Sequence, residues 1–418
     1  MTYSSSTSAL RVMPDVIQTM RAYRRAGVVG ATLFLAATAW APAALAQRDT
    51  AAVRDTIERP FVRGGVYDKP YLTRLGGRTT LGGYADVQAR YERVDGLRDD
   101  SGFEVTRFNL FTNARVSDFV RIGAELEIED GGREIKLEYA AIDVRIHPSL
   151  TVRGGMLLSP LGKFNLAHDS PLNEFTDRPL VSTELLGVAL SEPGLGAFGQ
   201  FGVARTGRLT YELYATNGFH DGLITESEDG TRIPLGRGNF EDNNNSAAFV
   251  GRIALSPSQA YEVGISAHHG AYNVSESEGT QIDERRNLTI VVLDAEAQVF
   301  GVHLAGEAAS ASIDVDPELE GIYASRQRGA YAEAVRPFGR GWVRTMPSSS
   351  FAVKARFDYV DFDSDAAGQE TRQVSLGLNF RPTQDTALKF DYVRGRSRDE
   401  FNTAADHAFV LFSLATYF

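Results

Sequence analysis

From Val120 to Glu129 apolar and polar residues alternate without a break. Val120, Ile122, Ala124, Leu126 and Ile128 fall on one face, and Arg121, Gly123, Glu125, Glu127 and Glu129 on the other. A period of two is the signature of an extended strand lying between two unlike environments. The same pattern places Leu81, Ala85, Val87, Ala89 and Tyr91 opposite Tyr84, Asp86, Gln88 and Arg90, and Leu209, Tyr211, Leu213 and Ala215 opposite Glu212 and Tyr214. Near the end of the chain, Phe351, Val353, Ala355, Phe357 and Tyr359 oppose Lys354, Arg356 and Asp358. Val374, Leu376, Leu378 and Phe380 oppose Gln373, Ser375 and Asn379 in the same way. A half-buried strand of a soluble sandwich would alternate too. Three successive carboxylates on one inner face could not sit unpaired in a dry core, so the pattern predicts a wet lumen inside a wall that faces lipid.

The links between these runs alternate in length. A polar loop near Asp95 to Gly102 precedes a tight turn at Ser117-Asp118, and Asp130-Gly131-Gly132 precedes His147-Pro148-Ser149. Long polar links around 158–196, 217–245 and 270–287 are interleaved with short turns at Thr206-Gly207-Arg208, Ser256-Pro257-Ser258 and Phe300-Gly301. Long links on one rim and short ones on the other are the layout of bacterial outer-membrane barrels. The count predicts an all-β transmembrane antiparallel barrel of about sixteen strands over 79–418, with both ends on the periplasmic side. One irregularity lies in Ile135 to Ile146, where Leu137 and Tyr139 share a face and Ile142, Val144 and Ile146 follow on the opposite parity. A β-bulge near Ala140-Ala141 would restore the register.

Composition agrees once the alternation is known. Hydrophobic residues make up 43% of the 418, with a mean hydropathy of −0.21, which hides a barrel because only alternate residues meet lipid. The one long apolar stretch, Ala26 to Ala46, follows Arg21, Arg24 and Arg25 and closes on Ala44-Leu45-Ala46, so residues 1–46 read as a secretory signal peptide. The alternative, an N-terminal membrane anchor, suffers from an apolar core, Val28 to Trp40, that is short for a span. Met20, directly before Arg21, would begin a leader of ordinary length. Residues 47–78 lack clean alternation and read as a periplasmic N-terminal extension.

Removing the leader takes away four arginines and one aspartate, so the formal charge moves from −11 to −14. Such an acidic chain disfavours nucleic acid. With Cys at 0 there is neither a disulfide framework nor a thiolate metal site, and stability must come from strand pairing. The last strand, His407 to Phe418, ends on an aromatic residue and resembles the signal read by the outer-membrane barrel assembly machinery.

The segment Leu150 to Val181, with its Pro160-Leu161-Gly162 turn, resembles the strand and infolded third loop of the phosphate- and polyphosphate-selective porin family. Tyr211 to Gly218, the run Leu293-Asp294-Ala295 leading to Gly306-Glu307, Gly329-Ala330-Tyr331 and Thr371 to Pro382 agree with it loosely over most of the mature chain. The resemblance implies passive flux of small hydrophilic solutes or ions, including anions such as phosphate, through a water-filled bore in outer-membrane lipid, often as a homotrimer. Solute choice in such a bore depends on charges placed where a loop narrows it. Arg153, Lys163, His168 and Arg178 lie in or beside the loop, and Arg90, Arg121, Arg252, Lys354 and Arg356 add inward cations, a track for anions. Against it stand Glu125, Glu127, Glu129, Glu138, Asp169, Glu174 and Asp177. The constriction set is therefore Arg121, Glu125, Arg153, Lys163, His168, Arg178 and Arg356. Any one inward arginine has a plainer role as partner to a carboxylate on the next strand.

Some outer-membrane barrels are hydrolases, and His168-Asp169, His220-Asp221, Asp406-His407 and the same-face pair Ser266 and His268 are the candidate catalytic groups. Adjacent residues on a strand point opposite ways, and no metal-protease, calcium-loop or phosphate-loop motif occurs. The expectation is a non-enzymatic protein without cofactor or metal. A substrate-specific uptake barrel and an adhesive barrel, to which the acidic stretch Glu226-Ser227-Glu228-Asp229 is suited, are the alternatives.

Overall fold

The computed structural model describes residues 73–74, 78–204, 206–228 and 230–418. The expected signal peptide and most of the expected periplasmic extension lie outside the described residues.

The alternating segments form sixteen long strands. The first eight are β1 (Thr79–Val94), β2 (Leu97–Arg115), β3 (Val120–Glu129), β4 (Glu134–His147), β5 (Leu150–Leu158), β6 (Ser191–Val203), β7 (Gly207–Thr216) and β8 (Ala248–Ser258). They are followed by β9 (Tyr261–Ala271), β10 (Asn287–Val299), β11 (Val302–Ile313), β12 (Arg326–Phe338), β13 (Ser350–Asp361), β14 (Glu370–Arg381), β15 (Thr386–Arg398) and β16 (Ala404–Tyr417). Each pairs antiparallel with its neighbour in sequence, and β16 pairs with β1 to close the barrel. Closure leaves no strand edge unpaired, the condition for crossing hydrocarbon with sheet. At the seam, the amide of Gly83 donates to the carbonyl of Phe418 at 3.2 Å, and the amide of Phe418 donates to Gly83 at 3.0 Å. Only glycine fits at 83, since a Cβ there would lie 2.3 Å from the Asn109 carbonyl and 2.5 Å from the Phe418 ring.

The outward faces carry the apolar parity. Phe390 is 50% exposed, Leu376 53% and Val353 48%, far more apolar surface than a water-soluble wall would present. No described helix is long and apolar enough to cross a membrane, and the crossing elements are strands. At the short-link rim, Phe338, Phe351 and Phe380 stand in one cross-strand row with centroids 5.7 and 4.9 Å apart, one side of an aromatic girdle.

Three expectations need correction. The stretch after Asp95 is no loop, because Asp95 (φ 49°) and Gly96 (φ 79°) make a two-residue hairpin turn and β2 resumes at Leu97. Asp-Gly supplies the left-handed pair that such a turn needs, and the strands run on past the lipid with polar residues on both faces. The turn placed at Ser256-Pro257-Ser258 is 259–260, since β8 continues through Ser258. The bulge in β4 lies at Glu138 and not at Ala140-Ala141. Glu125 pairs with Tyr139 and Leu126 with Leu137, so Glu138 is the extra residue, and both Glu138 and Tyr139 turn inward.

The interior also differs from a uniformly wet bore. Glu125 and Glu127 are 0% and 2% exposed, and neighbours satisfy them in place of bulk water. The Asn109 amide donates to Glu125 at 3.0 Å, and Arg107 lies 3.4 Å from Glu127 and 3.0 Å from Glu129. At the long-link end of β10 the inward residues are Leu288, Ile290 and Val292, all fully buried, and they join a dry cluster with Leu161, Val181 and Leu185 of the 159–190 link. Phe219, Leu223 and Ile233 of the next long link belong to the same cluster.

Candidate functional site

The link between β5 and β6 contains little regular structure, so its peptide groups need partners from elsewhere. Inward side chains of the wall provide them. The amides of Gly162 and Phe164 donate to Ser266 on β9 at 2.8 Å and to Glu307 on β11 at 2.6 Å. The amide and hydroxyl of Thr176 both donate to Asp391 on β15 at 2.8 Å, and the Leu180 amide donates to Asp358 on β13 at 3.1 Å. Carbonyls are met by cations: Lys354 reaches Glu174 at 2.5 Å, Lys389 reaches Ser170 at 2.7 Å, and Arg356 reaches Asp177 at 2.9 Å. The Tyr417 hydroxyl donates to Asp169 at 2.7 Å, so β16 holds the segment as well.

A cavity of about 230 Å³ lies against this segment and the faces of β10, β11, β12 and β13. Six carboxylates line it, Glu174, Asp177, Asp294, Glu296, Glu307 and Glu333, against Lys163, Arg356 and His303. Both permanent cations are occupied. Lys163 Nζ lies 2.5 Å from Glu296 and 3.1 Å from Glu262, and Arg356 Nε donates to Asp358 at 2.9 Å while its face covers Phe175. Asp294 is matched by Arg252 at 2.5 Å, Glu174 by Arg381 at 3.2 Å and Asp177 by Arg90. Glu307 takes the Phe164 amide through Oε1, and its Oε2 has no hydrogen-bond partner among the described residues.

The expected constriction set divides among several places. Lys163 and Arg356 meet at this cavity. His168 and Glu125 belong to a second cluster, where His168 Nε2 lies 3.0 Å from Glu138 and Nδ1 lies 2.8 Å from the Asn165 carbonyl. Arg178 is within the field of that cluster's Glu127 and Glu138, and its Nη1 donates to the Val188 carbonyl at 3.3 Å. Arg153 is part of the wall. Its guanidinium grips Asp143 through two bonds of 2.7 and 2.9 Å and stacks 4.1 Å from the centre of Phe198. Arg121 also faces inward, registered beside Asp143 on β4. Arg153, Arg252 and Arg356 thus pair with carboxylates, the plainer role of an inward arginine. Asp294, Glu296, Glu307 and Glu333 were missed as site residues. Their parity on β10, β11 and β12 was legible, but only the arrangement of the 159–190 link shows that those strands face it.

Of the candidate catalytic groups, His220 Nδ1 lies 3.9 Å from Asp221, while Ser266, His268 and His407 are engaged elsewhere. Ser266 Oγ accepts the Gly162 amide, His268 packs edge-on against Phe219 at 5.0 Å, and His407 stacks on Phe409. Among the described residues no group of three or more His, Asp or Glu side chains is arranged to hold a metal ion.

A closed sixteen-strand wall with an apolar exterior and charged interior is the fold of transmembrane β-barrels of the bacterial outer membrane. Salmonella typhi OmpF in complex with daunomycin shares it with a TM-score of 0.54 at 10% identity, over 83% of this chain and all of that one. An anion-selective porin from Comamonas acidovorans gives a TM-score of 0.52 at 13% identity, over 81% and 99%. The outer membrane channel DcaP of Acinetobacter baumannii gives 0.52 at 12%, over 81% and 97%. In sequence, the chain is 24% identical over 372 residues to an uncharacterized protein of Aquifex aeolicus (strain VF5), covering 81% of this chain and 80% of that one. No protein-family model matches the chain.

Proposed function

We propose that this protein is a passive porin that lets small hydrophilic solutes cross the outer membrane, and that the 159–190 link folds into its bore as the narrowing element. One observation carries the second half of this reading: peptide groups of that link bond to inward side chains on strands from β9 to β15, and its Asp169 carboxylate accepts the Tyr417 hydroxyl of β16. The neighbouring cavity admits ions and small polar molecules by size.

Carboxyl groups outnumber cations at the cavity, which favours cations wherever those groups are ionised. Lys163 and Arg356 are neutralised by carboxylates, while Glu307 and Glu333 have no ion pair among the described residues. Phosphate selectivity, implied by the family resemblance, needs cations left free to take the anion, and those at the cavity are engaged. Purified, folded protein in planar bilayers should give ohmic current steps, and a salt gradient should give a reversal potential of the sign for cation preference. Folded protein that fails to conduct would reject the porin reading. Conductance with anion preference would leave the porin and reverse only the selectivity. Replacing Glu296 and Glu333 by glutamine should move the reversal potential toward anions, and Lys163→Gln should move it the other way.

A further inference from the structure

Above the lipid-facing belt, at the rim of the long links, one part of the outer surface carries arginines in register. On adjacent strands β14, β15, β16 and β1, Leu376, Tyr392, Val410 and Tyr91 form one cross-strand row of outward residues. The next outward row, one step toward the long-link rim, reads Val374, Arg394, Ala408, Arg93 and, on β2, Arg98. The row beyond it begins Arg372, Arg396, Asp406. Aromatic side chains at the edge of an apolar belt mark the membrane interface. The Arg394 to Arg98 row therefore stands at the height of lipid headgroups on the outer face.

Its charge is unevenly matched. Elsewhere on the same rim outward arginines are paired, Arg326 with Asp365 and Arg328 with Asp361. Arg396 is likewise taken by Asp406 at 2.5 Å, and Glu370 accepts the Tyr359 hydroxyl at 3.1 Å. Arg394, Arg93 and Arg372 have no ion pair among the described residues. Arg93 is fixed in place, its Nε donating to the Tyr91 hydroxyl at 2.9 Å and its guanidinium over the Tyr91 ring. Arg394 and Arg93 flank Ala408. Two strand spacings put their backbones about 10 Å apart, and the small alanine leaves the gap between them open. A guanidinium fork on each side of such a gap fits the planar, bidentate recognition of phosphate oxygens.

We infer that the Arg394–Ala408–Arg93 row, with Arg98 beside it, is a binding site for the phosphate group of an anionic outer-leaflet lipid, whose acyl chains would lie along Tyr392, Val410 and Tyr91. The site is on the outer wall and makes no use of the bore, so it stands or falls apart from the transport reading.

The test is native mass spectrometry of the folded full chain in detergent, titrated with a diacyl phosphomonoester lipid or with its zwitterionic choline counterpart. The phosphomonoester should bind at least tenfold more tightly. The Arg93→Gln/Arg394→Gln variant should lose that preference, and an Arg340→Gln/Arg344→Gln variant on the opposite rim should keep it. Heat-modifiable migration reports whether each variant has closed its barrel, and Arg93→Lys/Arg394→Lys, which retains charge without the fork, should fall between. Equal binding of the two lipids by the unaltered protein, or undiminished preference in the glutamine variant, overturns the site. Displacement of the lipid by equimolar inorganic phosphate would mean that it serves free anions, and would overturn the lipid assignment.

Discussion

Arg153 shows how much a single inward residue is fixed by its neighbours. Its bidentate bond to Asp143 and its stacking on Phe198 leave the pair almost wholly out of water. Removing one partner of such a pair strands the other charge and costs roughly 3–5 kcal/mol, whereas removing both restores much of the loss. Arg153→Met should lower barrel stability by that order in urea unfolding from lipid, and Arg153→Met/Asp143→Asn should regain most of it. At this scale the sequence was half legible. Parity alone placed Arg121, Glu125, Lys354 and Arg356 inside. Their partners were not legible, because Asp391 reaches Lys354 from β15, two strands along the wall, and the carbonyls of Glu174 and Asp177 meet Lys354 and Arg356 from the folded link, while a period of two carries no information about such distances.

Between residue and barrel, the two long links act as one element. Phe219 is 1% exposed and Leu223 fully buried, and both pack into the cluster shared with Leu161, Val181 and Leu185. Truncating a buried phenylalanine removes about 3–5 kcal/mol of packing. Phe219→Ala should therefore loosen the 159–190 link, which limited proteolysis of the folded protein would register as new cleavage there with the barrel intact. The links were expected from composition, but their apolar contents were read as parts of polar loops. The β4 bulge illustrates a similar limit. A change of parity between Leu137 and Ile142 was evident, yet any of the four residues between them could have absorbed it. The choice of Glu138 depends on Tyr139 pairing with Glu125 from the inside. Gly162 belongs here too: with φ at 78° and Glu307 Oε2 only 2.9 Å from where a Cβ would sit, it lets the link approach β11. Gly162→Val should unseat that approach and raise single-channel conductance in bilayers.

For the molecule as a whole, strand count, direction and both parities followed from the alternation, because a wall with lipid on one side and charge on the other admits few other patterns. What alternation could not convey is that the inside is not uniform. Apolar packing gathers at the long-link ends of β5, β8, β10, β11 and β13, while Asn109, Glu125, Lys354, Lys389 and Asp391 line the wall from β2 and β3 round to β13 and β15. Both sides hold the same link, one by exclusion of water and the other by charge and hydrogen bonds.

Those two kinds of anchorage respond to different stresses. Concentrated salt weakens attraction between accessible charges but strengthens the packing of apolar groups, so neither high ionic strength nor its absence would release both ends of the tether together. On the porin reading, an aperture moored in this way would be set when the chain folds and would stay set. Its current should remain steady over time at constant voltage, with temperature, more than electrolyte, deciding when the mooring gives way.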